Sequence, residues 1–117
     1  MINFLKLTIL NDFNMANICT NTFYISYESE EVGEAIIKKL ETLFNSKLDG
    51  KITYTDSLFI EGWFTSKWDF PMYIFEDFFN EFEDVYMRCL SEEYGNSYIA
   101  LNIYRDGNWL DEQTFDF

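Results

Sequence analysis

The spacing of apolar residues switches along this chain between a period of two and a period near 3.6, and this switch limits the fold more than any other feature. Over 17–27, apolar and polar residues alternate, with Phe23 and Ile25 on one face, which predicts a half-buried strand. Over 29–46, apolar residues recur at helical spacing after Ser29, a favourable N-cap followed by two glutamates in the first turn. We therefore predict that strands and helices share one core.

A second helix is predicted over about 71–83. Pro71 suits a first helical turn, where its missing N–H would have no partner anyway, and four phenylalanines follow at helical spacing. Asp106-Gly107 has the sequence of a hairpin turn. The predicted strands cover 51–56 and 58–65 (two strands or one bent strand), 85–90 and 97–104, and the tail from Trp109 to Phe117 is a candidate for a last strand.

The order of these elements predicts an α+β fold of the ferredoxin-like split βαβ kind. In that arrangement an antiparallel sheet carries two helices packed on one face. The chain of 117 residues suits one domain and is too short for two independent cores, so residues 1–117 are predicted to form a single acidic α+β domain. Residues 1–14 are predicted to be an N-terminal extension or an extra strand.

Net charge is the strongest compositional signal. Twenty-one acidic residues face eight basic ones, which gives a formal net charge of −13. Such a surface repels the phosphates of nucleic acid and anionic membranes, and it attracts basic proteins at low salt. We therefore expect a basic protein as the partner, with no direct nucleic-acid binding and no membrane binding. The alternative is that the charge serves solubility alone.

Composition also argues against the common kinds of active site. The chain has no histidine, which removes the usual nucleophile–base pairs and the commonest transition-metal ligand. The oxygen-rich residues around Asp106 and Asp111 miss the spacing of a calcium loop. We predict no enzymatic activity, no metal and no cofactor.

Cysteine usage and the apolar runs predict a cytoplasmic location. Cys19 and Cys89 lie in apolar, strand-like runs, where buried free thiols suited to a reducing compartment are expected. The apolar first ten residues lack the basic start and the cleavage site of a signal peptide, and no apolar run is long enough to span a membrane.

Two short motifs resemble the YubB-like, ferredoxin-like domain proteins of plasmids and phages. The stretch Met15-Ala16-Asn17-Ile18-Cys19-Thr20-Asn21-Thr22 resembles the opening of those proteins, and 64–71 is similar to their Trp-x-x-Pro entry into a second helix. Here Ile18 replaces the usual aromatic residue, and only Pro71 stands where two prolines are common. The resemblance covers about residues 15–104 and implies a ferredoxin-like fold and a mobile-element origin, but no catalytic residues.

The second predicted helix is the best candidate for a binding site, because the chain from 69 to 84 is rich in carboxylates and has no basic residue. On a helix, a row such as Asp77, Glu81 and Asp84 would repeat on the scale of DNA phosphates and could occupy a groove lined by Lys and Arg. The alternative is a solvated outer face. The predicted partner-binding residues are Asp69, Glu76, Asp77, Asn80, Glu81, Glu83 and Asp84.

Taken together, these features predict an acidic phage or mobile-element protein that inhibits a basic nucleic-acid-handling host protein by mimicking DNA. Nucleases and CRISPR effectors are the expected targets, which would make the function anti-defence and anti-CRISPR-like. The alternative is a structural or regulatory module that self-associates, for example as a homodimer, or holds partners through aromatic patches. Trp63, Trp68, Tyr73 and Trp109 would then form those patches or lie in the core, since the acidic charge disfavours a stacking platform for bases.

Overall fold

Residues 18–116 are described by the computed structural model, in which an antiparallel sheet carries its helical segments on one face. The extension or extra strand predicted for residues 1–14 lies outside the described residues. The strands are β1 (Ile18–Ser26), β2 (Asp49–Thr55), β3 (Phe59–Lys67), β4 (Tyr86–Glu93), β5 (Tyr98–Arg105), β6 (Asn108–Trp109) and β7 (Gln113–Asp116); the helices are α1 (Glu30–Ser46) and α2 (Met72–Phe75), and a 3-10 turn covers Tyr94–Asn96.

The sheet has β1 near its centre. Its strands follow the order β2-β3-β1-β4-β5-β6, β7 pairs with the first half of β5, and every pair is antiparallel. Consequently β1, β2 and β5 finish, and β3 and β4 begin, at the same end of the sheet, which we call the rim end. The connections β1–α1, β2–β3 and β5–β6 lie there, together with the segment that enters β4.

The cross-strand register divides the sheet into a core face and an open face. Phe23 and Ile25 are buried on the core face, as their alternation predicted. Residues directly opposite each other point to the same side, so the open face carries the even-numbered residues of β1 and β4 and the odd-numbered residues of β3 and β5. It also carries Asp49, Lys51 and Tyr54 of β2 and Gln113 and Phe115 of β7.

The predicted helix over 29–46 is confirmed as α1. The hydroxyl of Ser29 accepts a hydrogen bond from the Val32 N–H at 3.3 Å, which caps the helix. Ile36 and Leu40 are fully buried against the core face, and each such side chain contributes roughly 1.5–3 kcal/mol by leaving water. At Gly33 a Cβ would lie 2.2 Å from the Tyr27 ring, so glycine lets the chain leaving β1 pass close under the helix.

The predicted ferredoxin-like split βαβ fold with two packed helices is wrong. The sheet has seven strands, and the second helix is the four-residue α2 instead of a helix over 71–83. Beyond α2 the backbone forms successive tight turns, in which the N–H groups of Phe78, Asn80 and Phe82 each donate to the carbonyl three residues earlier. Phenylalanine, aspartate and asparagine have low helix propensity, and carboxylates one turn apart repel each other, so the helix does not propagate.

The aromatic residues of this segment nevertheless reach the core, as their spacing predicted. Phe75, Phe78 and Phe79 are buried, and the Phe75 ring stacks on Phe64 of β3 at 5.3 Å between centroids. Three-residue turns bring residues separated by three or four positions to one side, as a helix would. This aromatic layer holds the 70–82 segment on the core face and leaves its carboxylates at the surface.

Candidate binding surfaces

The predicted partner-binding residues are divided among three places. Asp69 follows β3 at the end of the sheet opposite the rim end, where its pKa is raised by burial and by the neighbouring Glu112 carboxylate. Glu76, Asp77, Asn80 and Glu81 lie on the exposed side of the turns after α2, and Glu83 and Asp84 lie at the rim end. Because the segment is not a helix, the predicted spacing along a helix axis does not exist.

One of the predicted carboxylates is neutralised by a residue far away in sequence. Lys39 of α1 forms a salt bridge with Glu81, at 2.8 Å between Nζ and Oε1, and also donates a hydrogen bond to the Phe78 carbonyl. Its ammonium group lies 4.5 Å from the centre of the Phe78 ring, a favourable cation–π contact. The hydrogen bond from Lys39 lowers the pKa of Glu81. Glu81 is therefore part of the packing between α1 and the turns rather than a free acidic group.

The structure instead gathers exposed carboxylates at the rim end. They lie on four separate connections, which the antiparallel topology places side by side. With neighbouring strands about 4.8 Å apart, the connections from the β2–β3 turn to the β5–β6 turn extend over about 19 Å. We call this set the acidic rim; it consists of Glu28, Glu30, Glu31, Asp56, Glu83, Asp84 and Asp106, all exposed.

Local backbone geometry fixes three of these carboxylates. In the β2–β3 turn, the Asp56 carboxylate accepts hydrogen bonds from the Leu58 N–H at 3.3 Å and the Ser57 hydroxyl at 3.2 Å. Asp84 and Asp106 have φ angles of 57° and 54°, in the left-handed region that aspartate tolerates better than most residues. Side chains on tight turns point outward, so the acidic groups face solvent together.

Tyr27 links two of the connections at the rim end. Its hydroxyl donates to the Asp56 carbonyl at 2.9 Å and so ties the end of β1 to the β2–β3 turn. Burial raises the pKa of Tyr27, and the Asp56 and Glu30 carboxylates raise it further. The basic group beside the rim is Arg105, which lies 4.0 Å from Asp106 and is more than half exposed.

The open face differs from the acidic rim in its balance of charge. Its charged residues are four basic (Lys51, Lys67, Arg88, Arg105) and three acidic (Asp49, Glu61, Glu92), a net charge of +1. The described residues include 20 acidic and seven basic groups, so those outside the open face are 17 acidic and three basic, a net charge of −14. The overall charge of −13 is therefore concentrated away from the open face.

Aromatic and aliphatic side chains occupy much of the open face. Tyr24 stacks on Phe59 at 5.4 Å, Tyr54 lies 5.5 Å from Phe59, and the Arg88 guanidinium sits 4.1 Å from the Tyr24 ring. Leu90 is 39% exposed although it lies mid-strand. Exposed apolar surface of this kind, on a face that no described element covers, is typical of an interaction surface.

The four aromatic residues considered as a patch are distributed rather than clustered. Trp109 belongs to the core, where its indole N–H donates to the Phe75 carbonyl at 3.1 Å and its ring packs on Tyr104. Trp63 lies half-buried on the open face, Trp68 lies exposed after β3, and Tyr73 is exposed on α2.

Buried polar groups at the end opposite the rim form a satisfied structural network. The Asn21 side-chain amide donates to the Ser66 hydroxyl at 2.9 Å and to the Phe64 carbonyl at 3.2 Å, and its oxygen accepts from the Ser91 hydroxyl at 2.6 Å. Cys19 beside them is a buried free thiol, as is Cys89, which confirms that prediction. Within 18–116, no group of three metal-binding side chains is arranged to hold an ion.

Comparison with protein-family models, with curated proteins and with solved structures finds no match to this chain. Among the described residues, no helix is long and apolar enough to cross a membrane.

Sequence reasoning placed two of the seven rim carboxylates, Glu83 and Asp84, in the predicted site and missed the others. The missing signal is topological. Asp56 and Asp106 stand in turn sequences that are easy to recognise, but only the strand order shows that these turns share one end of the sheet.

Proposed function

We propose that the protein binds a basic protein through the acidic rim and inhibits a nucleic-acid-handling host protein by occupying its Lys- and Arg-lined groove. The acidic rim carries this proposal: seven exposed carboxylates lie on neighbouring connections whose sequences contain no lysine. We further propose a phage or mobile-element origin and an anti-defence role against nucleases or CRISPR effectors, which the charge and the resemblance of two short motifs to the YubB-like proteins support.

The charge density of the rim supports nucleic-acid mimicry. Seven carboxylates over about 19 Å correspond to about one charge per 3 Å, close to the rise of about 3.4 Å per phosphate of each strand along the axis of double-stranded DNA. A groove that binds double-stranded DNA by the phosphates of one strand would thus meet a similar charge density. Attraction of this kind acts over long range and weakens steeply with salt.

The proposal is tested with two variants of equal net charge. Both sets replace exposed carboxylates by their amides, so size is kept, and asparagine tolerates the left-handed positions. The rim variant is Asp56→Asn, Glu83→Gln, Asp84→Asn and Asp106→Asn. The control variant is Glu41→Gln, Glu76→Gln, Asp77→Asn and Asp111→Asn, which lie outside the rim.

Each immobilised protein is exposed to bacterial lysate at about 50 mM salt, and the retained proteins are eluted at about 200 mM and identified by mass spectrometry. Each basic nucleic-acid-binding protein that is recovered is then purified, and its affinity for a labelled DNA is measured with and without the acidic protein. We expect competition with DNA that the control variant retains and that the rim variant loses by about tenfold or more. Equal competition by both variants would show that the rim is not the binding surface.

A further inference from the structure

The open face combines exposed apolar area with a self-complementary arrangement of charge. Glu61 and Arg88 stand in the same cross-strand row, on the two strands that flank Tyr24 of β1. Neither forms a salt bridge within the part of the chain that the structure describes, and both are exposed. Two strand spacings, about 9.6 Å, separate their backbones, so the pair is held apart by the sheet itself.

We propose that the open face binds the open face of a second copy of this chain, about a twofold axis parallel to β1. This inference does not rest on the acidic rim or its partner. A rotation of 180° about an axis along β1 exchanges the positions of β3 and β4 and keeps each row at its height. It therefore places Glu61 of each copy opposite Arg88 of the other, an isologous contact formed twice.

The same operation matches the neighbouring rows. Phe59 and Tyr86 flank Ser26, so an aromatic ring would face an aromatic ring across the interface. Trp63 and Leu90 flank Thr22, which matches an aromatic to an aliphatic side chain.

The outer rows also avoid repulsion. Asp49 faces Ile99, Lys51 faces Leu101 and Tyr54 faces Ile103, so no like charges meet in these rows. A twofold axis parallel to the sheet but perpendicular to β1, passing through the row of Glu61 and Arg88, would place Glu61 over Glu61 and Arg88 over Arg88. The charges thus select the axis parallel to β1.

Area and charge both fit a second copy as the occupant. Six strands span about 24 Å and the long strands about 27 Å, which gives roughly 650 Å² per partner. Specific interfaces bury about 600–1,000 Å² per partner, and facing sheets pack about 10 Å apart, a gap that a glutamate and an arginine together span. With a net charge of +1, the open face is also the surface on which two chains of charge −13 repel least.

The test is sedimentation of the full chain over a range of concentrations, with charge-reversal variants. Glu61→Arg alone would oppose two arginines, and Arg88→Glu alone would oppose two glutamates, so each should raise the dimer dissociation constant about tenfold or more. The double variant should restore the dimer, and so should an equimolar mixture of the two single variants, which pairs unlike charges again. Control variants Glu41→Arg and Lys47→Glu make the same charge changes on exposed residues outside the face.

A monomer at every concentration up to about 100 μM would overturn the proposal. So would a dimer that the single variants leave unchanged, or one that the double variant and the mixture fail to restore. Far-UV circular dichroism and thermal unfolding of each variant confirm that a lost dimer is not a lost fold.

Discussion

The buried pair Asn21–Ser91 offers a direct measure of what holds β1 between its neighbours. Both side chains are fully buried, and the Ser91 hydroxyl donates to the Asn21 side-chain oxygen at 2.6 Å. Asn21→Ala removes the acceptor of that hydroxyl and opens a cavity. A buried polar group without a partner costs about 1–3 kcal/mol, and the cavity adds about 1 kcal/mol, so we expect a loss of about 2–4 kcal/mol.

A double-mutant cycle separates the orphaned hydroxyl from the cavity. Ser91→Ala removes the group that Asn21→Ala leaves unpaired, so the double variant should be more stable than the sum of the single losses by about 1 kcal/mol or more. Urea unfolding, followed by tryptophan fluorescence and circular dichroism, gives the free energies. In thermal unfolding, Asn21→Ala alone should lower Tm by about 8–16 °C. As a control, Ser46→Ala removes an exposed hydroxyl and should change stability by less than about 0.5 kcal/mol. If the stability losses of Asn21→Ala and Ser91→Ala were strictly additive in the double variant, the reasoning would be refuted.

Two further predictions concern the ion pair and the thiols. Glu81→Gln should lower stability by about 0.2–1 kcal/mol at neutral pH, since the pair with Lys39 is exposed to solvent. Because that pair lowers the pKa of Glu81, the difference in stability between the Glu81→Gln variant and the unmodified protein should be present above the ordinary carboxyl pKa. It should vanish as pH falls through the lowered value. A difference in the temperature of thermal unfolding that persists near pH 2 would contradict this. A disulfide reagent should label Cys19 and Cys89 only in urea, because burial raises the pKa of both thiols, that of Cys19 to about 11. Labelling in native buffer at the same rate as in urea would contradict this prediction.

Elements whose signals are local were predictable from the sequence. The alternation around Phe23 follows the period of two, and α1 begins where Ser29 caps it, because both depend on neighbours within a few residues. The Asp106-Gly107 turn has positive φ at both residues, 54° and 81°, as a two-residue hairpin turn requires.

The second helix shows how periodicity alone misleads. The phenylalanines at 75, 78, 79 and 82 have helical spacing, but tight turns satisfy the same spacing. The run of carboxylates without lysines, interpreted as a sign of function, is also a physical reason for the helix to stop, since like charges one turn apart destabilise it. The lysine that compensates Glu81 comes from Lys39, 42 residues earlier, and no local pattern identifies that contact.

We expect the contacts proposed at the acidic rim and at the open face to depend on salt in opposite ways, and this dependence would distinguish the two surfaces. A twofold axis parallel to β1 leaves both rims at the same end of a dimer, so 14 carboxylates would lie side by side, seven from each copy. Dimerisation would then work against the mutual repulsion of two chains of charge −13, which salt screens. Binding of a basic partner depends on attraction, which salt weakens.

A dimer strengthened by salt and a partner complex weakened by it would therefore identify two independent surfaces. Loss of the dimer at high salt would instead show that attraction between Glu61 and Arg88 outweighs the repulsion between the two chains. In the first case the two rims of a dimer could bind one partner together, and the second rim would then bind at the high effective concentration that the first one sets. The separation of charge between the two surfaces makes this arrangement physically consistent, because the surface proposed to attract a partner lies apart from the surface on which two copies would meet.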